Sequence, residues 1–99
     1  MIDIVYESGG VMIEKVTEHG YIIRGYANGR SFPGGFDWIV VALVDALTVT
    51  FKGFLHIKNC LMPLSHARAV DIFFRSLGCE IVEYERVKNG IVINVSRRL

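Results

Sequence analysis

The stretch FDWIVVALVDALTV, Phe36–Val49, decides the fold of this chain. Its apolar residues Trp38, Ile39, Val40, Val41, Ala42, Leu43, Val44, Ala46 and Leu47 would occupy nearly every face of a helix. A helix apolar all round is buried on more than one side. Val40, Val41 and Val44 are β-branched and favour a strand, whereas Ala42, Leu43, Ala46 and Leu47 favour a helix. A helix is therefore expected over about Phe36–Leu47, with Asp37 in its first turn, where the dipole favours an anion. In so small a domain such a helix has to meet a second surface besides its own sheet. A homodimer contact is expected there, through Trp38, Val41, Leu43 and Val44.

Upstream lies the loop RSFPGG, Arg30–Gly35, and before it three strands. Ile2, Ile4 and Tyr6 alternate with Asp3, Val5 and Glu7; Gly9-Gly10 turns the chain into VMIEKV, and His19-Gly20 turns it into YIIRGYA. Downstream come a strand over about Thr50–Lys58, a corner at Asn59–Pro63, and the helical stretch LSHARAVDIFFRSL, Leu64–Leu77. Leu64, Ala67, Val70, Phe74 and Leu77 form one stripe of that helix, and His66, Arg68, Asp71 and Arg75 lie off it. Gly78 can take the left-handed conformation that ends a helix. CEIVEYERV and GIVINVSRR then make a hairpin around Lys88-Asn89-Gly90, and Asn-Gly is the strongest short turn signal. The order β-β-β-α-β-α-β-β predicts a single α+β domain. It would be a two-layer α/β sandwich, with a β meander (1–29) added to a core (30–99) and both helices on one face of a mixed sheet.

Composition excludes several classes. The 99 residues suffice for one core, and a hydrophobic fraction of 52% with 21% charged residues argues against disorder. A formal net charge of +1 gives no global field to recruit nucleic acid or an anionic membrane. The longest apolar run, Ile39–Val44, is far short of the about 20 residues that span a bilayer. MIDIVYES has no basic region or cleavage-like site, so a cytoplasmic location is expected. Cys60 and Cys79 flank the second helix and are too far apart to bridge.

The best chemical signal is Cys60, three residues before Pro63 at a helix start. Proline suits the first turn of a helix, and a thiol beside the free amides and positive dipole end has a lowered pKa. His66 and Arg68, a turn further on, would add positive potential. Cys60 is therefore the candidate sulfur-carrying thiol, with Pro63, His66 and Arg68 setting its environment; Cys79, past the helix C-terminus, reads as packing. No CxxC, HxxxH or HExxH spacing is present, so no metal or cofactor is expected. A second set of residues, Arg24, Arg30, Lys58, Arg97 and Arg98, would grip phosphates if the fold brought them together.

The run AVDIFFRSLGCEIVEYERVKNGIVINVSRR resembles the C-terminal half of the TusA/SirA sulfur-carrier family, through Asp71-Ile72, Leu77-Gly78, Glu80, Glu83 and Arg97-Arg98. That resemblance implies a small protein of sulfur transfer or thiol chemistry acting in a relay with a protein partner. The family's Cys-Pro-x-Pro motif before helix one is missing: Ser31-Phe32-Pro33-Gly34-Gly35 stands there, and Cys60-x-x-Pro63 precedes helix two instead. The same β-α-β-α-β-β order, with Lys58 and LSHARAVD, also resembles the dimeric, nucleic-acid-binding Alba family. The long basic arm of that family is replaced by Lys88-Asn89-Gly90, so nucleic acid is the less favoured partner. A third expectation is an interaction module with no catalytic role, supported by the apolar first helix expected at Phe36–Leu47.

Overall fold

Trp38–Asp45 is a strand, and this changes the architecture. The computed structural model of the chain describes residues 2–26, 35–56 and 62–99. Its elements are β1 (Asp3–Ser8), β2 (Val11–Lys15), β3 (Gly20–Gly25), β4 (Trp38–Asp45), β5 (Thr48–His56), α1 (Leu64–Ser76), β6 (Ile81–Lys88) and β7 (Ile91–Arg98). The strands form a single sheet in sequence order, β1 to β7. Every neighbouring pair is antiparallel except β5 and β6, which run parallel on either side of the α1 crossover. The expected sandwich with two helices on one sheet face is thus corrected: the described residues form a seven-stranded mixed sheet with one helix. Among the described residues no helix is long and apolar enough to cross a membrane.

The reason lies in the pairing on both sides of β4. Its residues pair with β3 from Gly20↔Leu43 to Gly25↔Trp38 and with β5 from Trp38↔His56 to Asp45↔Thr48. Trp38, Val40 and Ala42 are buried, while Val41 and Leu43 at the alternate positions are exposed, a period of two. Ala46 and Leu47, which argue for a helix in sequence, are the turn between β4 and β5, and Ala46 takes a φ of 53°. A run apolar on both faces suits a central strand as well as a buried helix. Two ready neighbours decide for the strand.

The rest follows local signals. α1 begins after Pro63, whose carbonyl accepts the amides of His66 and Ala67 at 3.0 and 3.2 Å. At its other end Gly78 has a φ of 90°, the Gly78 amide bonds the Arg75 carbonyl and the Cys79 amide bonds that of Phe74. This double bond pattern is a Schellman motif, and buried Cys79 and Phe74 make its apolar contact. Asn89 and Gly90 both have positive φ between Lys88 and Ile91, the primed turn that Asn-Gly favours.

The core sits between α1 and one face of the sheet. Val11, Ile13, Tyr21, Ile23, Val40, Ala42, Val49 and Val82 face Ala69, Val70, Phe73 and Phe74. Phe74 is 0% exposed, with ring centroids 5.7 Å from both Tyr21 and Phe51 and 5.0 Å from Phe73. Phe74→Ala should cost about 3–5 kcal/mol in urea unfolding, the range for truncating a fully packed phenylalanine. Ile72→Ala on the exposed side of α1 should stay within about 0.5 kcal/mol.

Candidate functional site

Register pairing divides the sheet into a helix side and an open side. On the open side Ile22 pairs with Val41, Val41 with Lys52, Leu43 with Thr50 and Ile39 with Leu55. Val41, Leu43 and Leu55 are 40%, 43% and 67% exposed, and all lie on the central strands β4 and β5. Of the expected dimer residues, then, Val41 and Leu43 are on the open side. Trp38 is buried under α1, and Val44 packs against the same core.

Trp38 is the anchor of a small buried polar contact. Its indole Nε1–H donates to His66 Nδ1 at 2.9 Å, and the two rings lie 5.8 Å apart. The other ring nitrogen, Nε2, faces Gly10. His66 is 4% exposed, and its Nδ1 is committed to Trp38 rather than turned towards the helix start. Gly25, the cross-strand partner of Trp38, lies under the indole: a Cβ there would sit 1.9 Å from Nε1. Sequence reasoning missed this Trp38–His66–Gly25 unit because its members are distant in the chain.

Cys60, Arg30 and Lys58 lie outside the described residues. Arg68 is exposed on α1, whose first turn has no acidic side chain and no side-chain cap. Cys79 is buried in the core, and burial pushes its thiol pKa up, which keeps it protonated. Among the described residues no cluster of three His, Cys, Asp or Glu side chains could hold a metal.

Among the described residues the candidate cations Arg24, Arg97 and Arg98 are scattered. Arg24 donates to Glu14 at 2.8 Å on the open side of β3. Arg97 makes two bonds to the Asp71 carboxylate, 3.0 and 3.3 Å, on the helix side. Those bonds hold its guanidinium charged, raising an already high pKa. Arg98 is exposed on the open side of β7, four strands from Arg24. Tyr26, next to β3, is buried, and no described residue offers its hydroxyl a hydrogen-bond partner. Desolvation raises its pKa; the Arg24 charge pulls the other way, and Glu7 adds to the rise.

Searches with protein-family models, among curated proteins and among solved structures find no match to this chain.

Gly25→Ala should destabilise by about 1–3 kcal/mol or more, because a rigid indole rather than a flexible chain end meets the new methyl. Gly35→Ala, with nothing within 4 Å, should be near neutral in the same urea titration.

Proposed function

We propose that this protein is a self-associating interaction module with no catalytic role of its own, and that the open side of the sheet is its working surface. One observation carries the reading: Val41 and Leu43 are exposed side by side on a central strand, flanked by Ile22, Ile39 and Leu55. A contiguous apolar area rimmed by charges such as Lys52 and Asp45 is the usual mark of a protein contact. The occupant proposed is a second copy, which would meet this face through a two-fold contact made by the same residues on both chains. Nucleic acid is less well supported, because Arg24 and Arg97 are each bound to a carboxylate and lie on opposite sides of the sheet. Leu43→Glu should halve the mass of the assembly in sedimentation velocity while leaving the circular dichroism spectrum unchanged. A monomeric wild type, or a Leu43→Glu assembly of unaltered mass, would overturn the reading.

A second reading keeps Cys60 as a sulfur-carrying thiol. What favours it is the uncapped start of α1 just past Pro63: with no acidic side chain in the first turn, its free amides favour an anion arriving from the preceding segment. Under this reading Cys60 alkylates fast and titrates below the reference value of about 8.5, while buried Cys79 reacts slowly until the protein unfolds. Measuring alkylation rate against pH, with each cysteine in the other's serine background, tests it. A Cys60 as slow as Cys79 removes the thiol from consideration.

A further inference from the structure

The two edges of the sheet are built differently. β1 is six residues long, is interrupted by a register shift between Ile4 and Tyr6, and carries Asp3 and Glu7. Bulges and charges are devices that keep an edge strand from pairing with another chain. β7, the other edge, has eight residues and an unbroken register against β6 from Ile91↔Lys88 to Arg98↔Ile81. From Ile91 to Ser96 it has no charge, no proline and no glycine. Among the described residues no strand lies beyond it.

The direction of its free backbone groups can be read off. In the two-residue hairpin Lys88 and Ile91 are the hydrogen-bonded closing pair. Bonded pairs alternate with unbonded ones in an antiparallel ladder, so Ile91, Ile93, Val95 and Arg97 turn their N–H and C=O groups towards β6. The bond from the Leu99 amide to the Glu80 carbonyl, 3.0 Å, continues the same odd-numbered series. Val92, Asn94 and Ser96 consequently present theirs to the outside.

We propose that β7 pairs antiparallel with β7 of a second copy about a two-fold axis at Asn94, joining two sheets into one. This contact goes beyond the open-side contact above and is independent of it. The register places Val92 opposite the second copy's Ser96 and Asn94 opposite the second copy's Asn94, each pair exchanging two N–H···O bonds. Between them Ile93 faces the second copy's Val95 in the closer, unbonded spacing. Exposed Ile93 and half-buried Val95 thus cover each other on the helix side. Charge selects the antiparallel direction. A parallel pair would set Arg97-Arg98 beside Arg97-Arg98, whereas the antiparallel pair sets them beside Ile91 and the uncharged Asn89-Gly90 turn. A two-fold axis perpendicular to the sheet also leaves both copies of α1 on one side and both open sides on the other.

The test uses the full chain carrying Leu43→Glu, so that the open-side contact is absent and the edge is read alone. In that background the protein should sediment as a dimer. Asn94→Pro should convert it to a monomer with an unchanged circular dichroism spectrum, because the Asn94 amide points outward and no ladder bond to β6 is lost. In a Cys60→Ser version, Asn94→Cys should cross-link to itself on air oxidation. Val92→Cys and Ser96→Cys should each fail alone and cross-link when mixed. A monomeric Leu43→Glu protein overturns the proposal, as does a dimer that survives Asn94→Pro, or equal cross-linking of the three cysteine variants alone. Assemblies that lengthen without limit on concentration point to head-to-tail pairing of β7 with β1 and also overturn it. Failure of the open-side reading shows separately, as a Leu43→Glu assembly of the same mass as wild type.

Discussion

Among the described residues a single thirteen-residue helix has to cover one face of a seven-stranded sheet, and the rest of the structure depends on how it does so. α1 meets that demand with aromatic rings. Phe73 touches Tyr6 on β1 and Tyr21 on β3, at 5.4 and 5.6 Å between centroids, and Phe74 reaches Tyr21 and Phe51 on β5. Large rings span the spacing between strands that aliphatic side chains would leave open, and edge-to-face contacts add to the area they bury. At the N-terminal end of α1 the Trp38–His66 bond continues the same layer with a polar contact that satisfies both buried ring nitrogens it joins. Arg97 and Asp71 tie β7 to the outer side of the helix.

With one helix spent on one face, the other face has no helical cover among the described residues. That asymmetry is the origin of the functional argument. The apolar residues of β4 divide between the two faces, so the strand supplies Val40 and Ala42 to the core and Val41 and Leu43 to the open side. Among the described residues Arg24, Arg97 and Arg98 do not assemble into a patch on either face, because β3 and β7 stand four strands apart and alternate residues of β7 point in opposite directions. The parallel step from β5 to β6 places the C-terminal hairpin at the sheet edge, where its outer strand keeps a row of backbone groups free to pair.

Much of this was legible in the chain. The three N-terminal strands, α1 with its Gly78 stop, and the Asn89-Gly90 hairpin all follow from local rules: alternation, a one-sided apolar stripe, and turn residues that tolerate positive φ. Cys79 was legible as packing because it follows the helix end into the core. The Trp38–His66 pairing was not, since His66 looks in sequence like a polar residue off the apolar stripe and only the neighbouring strand shows that this position is buried.

Phe36–Val49 marks the boundary between the two kinds of information. The sequence by itself determined that this stretch would be apolar on both faces, since every residue from Trp38 to Val44 is apolar. Tertiary structure alone decided that it is a strand, because β3 and β5 offer unpaired edges on either side and a central strand satisfies all three at once. Helix preference is worth only tenths of a kcal/mol per residue, too little to outweigh two ladders of backbone hydrogen bonds.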